Sequence, residues 1–376
     1  MLGSIFIGLS GMNAFSKGLR QISNNITNIN STGYKATDLA FVNLFGGAGG
    51  QGVAMSDGRV DFSQGELRQT DRDLDLAIDG DGFLVLLKDA QHVFARTGSF
   101  EVNEDGDIVL AGTDYKLTVL DSAGTPTALS VGSHRSSPPQ ATTEIKFADN
   151  LSSSAQTFTL SNVKVFTAAG DSQNWQIKFE RTPTSPPGEW TVTVTDGAGA
   201  SVGQQTLRFI GSIADPATSR LSFGSGAAAV DLDFSVASSF SSGDVSTLRI
   251  SESDGYAAGE ITAMGINDEG VFEISYSNEQ KKTLGAVTIA TFTDLQALEA
   301  QSGGLFTYEG ANGRQFLTSD SDSVGKVVSG RLESSNVDLS REFGELILVQ
   351  RGYQASSQVI SVSNDMIQQL FGIRGQ

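Results

Sequence analysis

Cysteine is absent from the 376 residues. Disulfides, thiolate chemistry and cysteine-ligated zinc are therefore excluded, and a chain that crosses membranes unfolded runs no risk of wrong bridges. Histidine is nearly absent. His92 and His134 are the only two, each alone among non-ligating neighbours, so a histidine metal site or a Ser-His-Asp triad would need distant partners; each reads as a surface residue. Basic side chains are outnumbered, 25 Lys and Arg against 43 Asp and Glu, for a net charge of −18. That balance argues against nucleic acid and against an anionic membrane surface, since both need a basic face. No apolar run approaches the ~18 residues of a membrane span. The apolar start "MLGSIFIGLSGMNAF" has no basic region before it, and its first basic residue is Lys17. Export is thus expected to use a route that does not read a Sec signal. Proline is scarce and confined: all seven lie between Pro126 and Pro216, with both tryptophans, Trp175 and Trp190, in the same stretch.

What is present is apolar enough to fold, at 39% hydrophobic, and long enough for two or three domains. The proline-free ends carry helical periodicity. At the N-terminus the stripe is Leu2, Ile5, Leu9, Met12, Phe15, Leu19, Ile22, Ile26 and Ile29. Its steps of three and four make a narrow, coiled-coil-like seam about 40 Å long, with Gly33 placed as the left-handed C-cap. At the C-terminus Leu339, Leu346, Tyr353, Ile360 and Ile367 recur once per heptad, accompanied by Phe343, Gln350, Ser357, Asn364 and Phe371. Asp338 or Asn336 is placed to cap that helix. Residues 1–37 hold Lys17, Arg20 and Lys35 and no acid, whereas the segment from Glu333 holds five acids and three arginines, which gives the two helices a weak, salt-screened attraction. Thin seams bury too little to offset backbone ordering of about 1–2 kcal/mol per residue. Both ends are expected to order only when many copies combine.

Between the ends, period-two alternation predicts strands: "TFTLSNVKVF", "WQIKFE", "WTVTVTDGAG" and "QQTLRFIGS". "GSFEVNEDGDIVLAG" predicts a hairpin turning at Asp105-Gly106, and "AMGINDEGVFEISYSN" predicts another turning at Asp268 to Gly270. "TFTDLQALEA" predicts a short helix capped by Thr293 or Asp294. The fold class expected is mainly β with terminal α-helices. Helical ends (1–34 and 333–376) form one polymerisation domain, 35–69 is a linker, 70–143 with 256–332 an inner β domain, and 144–255 an outer β domain inserted in it.

Three motifs compete for a chemical role and lose it. Gly47, Gly49 and Gly52 fit G-x-G-x-x-G, yet the following "VAMSDGRVDF" is no helix. The stretch Gly46, Gly47, Gly49, Gly50 and Gly52 reads instead as a pliable hinge. Asp71, Asp73 and Asp75 open like a calcium loop, but Leu76 and Gly82 occupy the sixth and twelfth positions. The alternation with Leu74, Leu76 and Ile78 reads as a strand with a solvated edge. No nucleophile elbow, P-loop or zincin motif occurs. Neither catalysis nor a metal or cofactor is expected.

The ends also carry a resemblance. "SNNITNINSTGYK" resembles the N-terminal signature of the bacterial flagellar rod and hook family, N-N-x-A-N-x-x-T-x-G-[FY]-K. Asn24, Asn25, Asn28, Thr32, Gly33, Tyr34 and Lys35 match, and Thr27 stands where alanine is usual. "RLESSNVDLSREFGELILVQRGYQASSQVI" is similar to that family's C-terminal segment through Asn336, Val337, Asp338, Gln350, Arg351, Tyr353 and Gln354, with Gly352 in place of the commoner alanine. "FSQGELRQTDRDLDLAIDGDGFLVL" is similar to its first core segment. The resemblance covers roughly the first 120 and last 45 residues. The strand-rich insertion and the compact 35–62 segment point to hook-type rather than rod members, with the distal rod protein or a junction protein, which shares the terminal design, as the alternative. The resemblance implies a subunit exported unfolded through the flagellar type III apparatus. It would polymerise with itself beneath a hook cap into a flexible tube that transmits torque as a universal joint. Its neighbours would be the distal rod and the hook–filament junction proteins. A secreted β-rich adhesin and a carbohydrate-active enzyme remain as readings of the middle alone.

Overall fold

The computed structural model describes residues 2–46, 50–56, 58–181, 188–226, 229–310, 312–319 and 321–374. Two long helices close the chain at either end, α1 (Leu2–Thr27) and α2 (Leu339–Arg374), and the described residues between them are almost wholly strands and turns. The chain divides into two compact units. One comprises Met1–Ser133, Ala263–Ile274 and Lys282–Gln376; the other His134–Thr262 and Ser275–Lys281.

In the first unit a twelve-stranded sheet is built around Phe83–Lys88, Gln91–Ala95, Thr97–Val102 and Asp75–Asp79. The predicted hairpin forms as expected, with Phe100 opposite Leu110 and Val102 opposite Ile108, and Gly106 takes the positive φ of 89° that its turn needs. Phenylalanines hold the centre. Phe83, Phe94 and Phe292 meet edge to face at centroid distances of 5.6 and 4.8 Å, a geometry that suits the ring quadrupole. Two expectations are corrected. The Asp71–Asp75 stretch is a turn, and its strand begins only at Asp75, which is buried and accepts a bond from Ser99 Oγ at 2.6 Å. That strand lies between two neighbours, Thr97–Val102 and Lys326–Ser329, so it is central, not a solvated edge. "TFTDLQALEA" supplies one 3-10 turn, Leu295–Ala297, capped by Asp294. The β-branched and aromatic residues before it pair into Thr288–Phe292, and the residues after it form the short strand Leu298–Ala300.

The second unit carries a nine-stranded sheet. Alternation sends every second side chain inward: Trp175, Ile177 and Phe179 from Ser172–Glu180, Trp190, Val192 and Val194 from Glu189–Thr195. Register places Ile177 opposite Val194 and Phe179 opposite Val192. Phe147 and Phe234 stack at 4.6 Å in the middle of the core.

Candidate functional site

The terminal helices pair within a single chain, where the sequence reading has them ordering only on assembly. Their seam differs from the predicted one. The buried face of α1 is Gly8, Gly11, Ala14, Gly18, Ile22 and Asn25. Among the described side chains of the expected stripe only Ile22 is fully covered. Ile5, Met12, Phe15, Leu19 and Ile26 are half-buried, and Leu9 is 58% exposed. On α2, Leu346, Tyr353, Ile360 and Ile367 keep their place, half-buried, but their companions are Glu342, Val349, Ser356 and Ser363. The expected companions Phe343, Gln350, Ser357 and Asn364 face out, as does Leu339. Phe371 lies near the end of α2 and Leu2 opens α1. The reason is close approach. A Cβ on Gly8 would stand 2.7 Å from Ile360 Cγ1 and 3.1 Å from the Ser356 carbonyl, and one on Gly352 would stand 2.5 Å from the Phe15 ring. Small residues let two backbones come together, and the larger side chains are left facing outward.

Helix α1 stops at Thr27, six residues before the expected cap. The short polar side chains that disfavour helix here take its last carbonyls: Thr27 Oγ1 donates to Ser23 O (2.7 Å) and Asn28 Nδ2 to Asn24 O (2.9 Å). Ile29 therefore lies in a turn. Gly33 has the predicted left-handed φ of 69°, but its N–H donates to Glu333 O at 2.8 Å. Asp338 caps α2, accepting from Ser340 N at 2.7 Å.

Beyond the seam the signature residues form a clasp. Asn25 Nδ2 donates to Glu342 Oε1 (3.0 Å) and to Thr37 O (3.1 Å); its Oδ1 accepts from Thr37 N (3.2 Å) and Tyr34 O–H (3.1 Å). One amide thus pairs with a strand's backbone and reaches the other helix. Asn336, just before α2, likewise ties down backbone, here of two loop segments. Its Oδ1 accepts from Ala36 N (2.8 Å), and its Nδ2 donates to Asp61 O (2.8 Å) and Ser63 O (3.1 Å). Beneath them lies a buried ion cluster. Glu333 Oε1 accepts from Lys35 Nζ (2.6 Å) and Gly65 N (2.9 Å), and Oε2 accepts from Arg96 Nε (3.1 Å). The side chains of all three charged residues are at most 4% exposed. Burial holds the Lys35 ammonium below its usual range against the opposing pull of Glu333.

Asn25, Gly33, Tyr34, Lys35, Asn336 and Asp338 thus converge on one junction with Val337 buried beside them. Asn24, Thr32, Gln350, Arg351 and Gln354 are exposed, and Asn28 bonds only locally. Arg96, Glu333 and Glu342 were missed as site residues. Glu333 sits inside the matched "RLESSN", which was a usable signal; Arg96, at the end of the buried "VFA", had none. The glycine segment is a hairpin. Phe41–Gly46 pairs with Gly50–Met55, Gly46 facing Gly50 and Leu44 facing Gly52, and Phe15 meets Phe41 at 5.5 Å. Gly46, Gly50 and Gly52 are paired strand residues where a pliable hinge was expected. Gly47 and Gly49 lie outside the described residues. Among the described residues no cluster of His, Asp and Glu fit to hold a metal occurs, and no helix is long and apolar enough to cross a membrane.

Glu342 is the strained member of the clasp. It is buried, and its Oε2 has no hydrogen-bond partner. Burial pushes its carboxyl upward, Glu345 and Asp38 add to this, and Asn25 and Arg341 oppose it. Burial also raises Tyr34, with the Glu342 charge adding to it. An acid with a raised folded pKa binds more protons folded than unfolded. Its contribution is complete below the unfolded value near 4.5 and is lost as pH rises to the folded one. We expect Glu342→Gln to remove that loss, and to exceed the parent in stability at neutral pH by about 1 kcal/mol, since a buried amide that keeps the Asn25 bond costs less than a buried charge. Urea midpoints followed at 222 nm from pH 4.5 to 8 check this; parallel pH profiles for the two proteins would contradict it.

Comparisons with known proteins match the same segments. Residues 5–35 fit the family model for flagella basal body rod proteins, and residues 328–373 fit that for the C-terminal part of flagellar basal body rod FlgEFG proteins. Over nearly its whole length the chain is similar to flagellar hook proteins FlgE. It is 29% identical to that of Salmonella typhimurium, covering 97% of this chain and 98% of the relative. It is 28% identical to that of Brucella suis (100% and 99%) and 24% to that of Treponema pallidum (100% of each). Its fold is similar to the crystal structure of Helicobacter pylori flagellar hook protein FlgE2, with a TM-score of 0.52 at 12% identity, over 71% of this chain and 100% of that one. With a family signature matched at each end, the clasp those signatures build, and full-length likeness to hook proteins from distant species, the chain is similar throughout to bacterial flagellar hook proteins.

Proposed function

We propose that this chain is the structural subunit of a flagellar hook, polymerising through α1 and α2 into a flexible tube that carries torque from rod to filament. The observation that carries the reading is the apolar surface the helix pair leaves uncovered. Phe6 and Leu9 on α1, and Phe343, Ile347, Leu348, Val359, Val362, Met366 and Leu370 on α2, stay exposed. Large apolar side chains left exposed along both helices mark an association surface. Helices from neighbouring copies supply the chemistry that covers it, and heterologous contacts that do not close generate an open helical assembly. The exported subunit would meet the type III apparatus first, then the cap, the distal rod and the junction proteins.

Ile22→Asp tests the reading. Ile22 is fully buried on the inner face of α1, and an unpaired buried charge costs several kcal/mol. Purified protein should fail to form tubes seen by electron microscopy. The emission of Trp175 and Trp190, both in the second unit, should stay native. Normal tubes from this variant would remove the helices from the assembly core.

A further inference from the structure

The chain holds one Asn-Gly pair, Asn312-Gly313. It lies in the loop between the strands Leu305–Tyr308 and Arg314–Thr318, and both of its residues are exposed. The loop is folded closely against Tyr308. A Cβ on Gly310 would collide with the Tyr308 ring, and one on Gly313 would stand 3.1 Å from Tyr308 Oη. Gly313 also has a φ of 94°, so conformation and space both demand glycine there. Two bonds fasten the carbonyls on either side of its amide. The Tyr308 O–H donates to Asn312 O, and Thr293 N donates to Gly313 O at 2.8 Å. The Gly313 N–H between them donates to nothing among the described residues. Arg314 follows, its guanidinium held over the rings of Phe316 at 4.8 Å and Phe94 at 6.0 Å. These features meet the needs of one reaction. An exposed N–H with no partner, on a residue with no Cβ, is open to deprotonation and to approach by the preceding side chain. The charge that deprotonation creates is shared with the carbonyl oxygen of the same peptide. That oxygen is the one to which Tyr308 donates, so the bond strengthens as the charge develops. The Arg314 cation, next in the chain, favours the same anion. Asn30-Ser31 is the contrast. Asn30 is exposed too, but the Ser31 N–H is spent on Asn28 O at 3.0 Å.

We infer that Asn312 is a site of spontaneous covalent modification, cyclising onto Gly313 N and opening to isoaspartate and aspartate with assistance from Tyr308. The Gly313 N–H gives its proton to hydroxide. The nitrogen attacks Asn312 Cγ, and the bond from Gly313 N to Cγ forms as the Cγ–Nδ2 bond breaks. Nδ2 takes a proton from water, which restores the hydroxide, and leaves as ammonia. Water then opens the cyclic imide. Cleavage of the new bond to Cγ gives aspartate, and cleavage of the bond to the Asn312 backbone carbonyl gives isoaspartate. The net change is one water consumed and one ammonia released, with no oxidation or reduction. Isoaspartate carries one more methylene in the main chain. The lengthening falls where a strand pair begins, with Arg314 opposite Phe292 and Gln315 opposite Thr291. The inference stands apart from the polymer reading, since every residue it uses belongs to the first unit.

The test uses the full-length chain, incubated folded in mildly alkaline buffer. Conversion at each asparagine is read by peptide mass spectrometry, and isoaspartate by enzymatic methylation. We expect Asn312 to convert first, on the order of tenfold faster than Asn30, whose following N–H is already bonded. Tyr308→Phe keeps the ring and removes the donor. Conversion of Asn312 in this variant should slow about fivefold, the loss of one hydrogen bond worth about 1 kcal/mol net. In concentrated urea the parent and Tyr308→Phe should convert at one rate, because the contact exists only in the folded loop. Conversion of Asn312 no faster than that of Asn30 in the folded parent would overturn the inference, and that comparison needs no variant to fold. Equal rates for the folded parent and folded Tyr308→Phe would overturn the part assigned to Tyr308, as would a difference that persists in urea.

Discussion

Glu333→Ala should cost about 3–5 kcal/mol and detach the terminal helices from the β sheet, because removing one partner of a buried ion pair strands the other. Two cations depend on this carboxylate. Lys35 Nζ would keep only Ser63 O at 2.6 Å, and Arg96 only the carbonyls of Gly82 and Ile78. The Gly65 N–H would lose its acceptor as well. A Cβ on Gly65 would stand 2.1 Å from Ser334 O, so the backbones there are already in contact. Glu333→Gln, which keeps an acceptor but no charge, should fall between. Denaturation followed at 222 nm reports on this unit, since both long helices belong to it. A loss below about 1 kcal/mol, the size of a surface pair, would show that the cluster is not what anchors the helices.

The second large effect is expected from Gly8→Leu combined with Gly352→Leu. Both changes raise helix propensity, by up to about 1 kcal/mol each. Over-packing costs about 1–3 kcal/mol per site, and here the obstacle at Gly8 includes backbone, Ser356 O at 3.1 Å. Sterics should therefore win, with the helix pair separated and tubes lost even as each helix becomes intrinsically better. Gly344→Ala provides the contrast. Nothing lies within 4 Å of a Cβ there, so propensity alone should act, raising stability by about 1 kcal/mol and leaving tubes intact. Tubes from the double variant, scored by electron microscopy and sedimentation, would mean that the glycine seam is dispensable.

Strand positions were legible because alternation is a local signal: Trp190, Val192 and Val194 announce a buried face without any knowledge of what covers it. The existence of both helices was legible for the same reason. Which face of each helix meets the other was not. Hydrophobic mass points to Leu9 and Phe343, whereas the seam is set by where two backbones approach, and glycine carries no weight in an apolar stripe. The end of α1 was misplaced because Ser23, Asn24 and Thr27 act through side-chain bonds to carbonyls, which periodicity does not register. The signature residues located the clasp, but not Arg96 or Glu342, whose partners lie 237 and 317 residues away in sequence. The second β unit lies wholly outside those terminal signatures.

The clasp makes the first residues wait for the last. Asn25, Lys35 and Ala36 find their partners in Glu342, Glu333 and Asn336, across separations of 317, 298 and 300 residues. A chain broken off anywhere before residue 333 leaves those early groups with nothing to answer them, however well its sheets have formed. The same bonds that fasten the helices therefore need the whole span between them, and a prematurely ended copy cannot close the clasp.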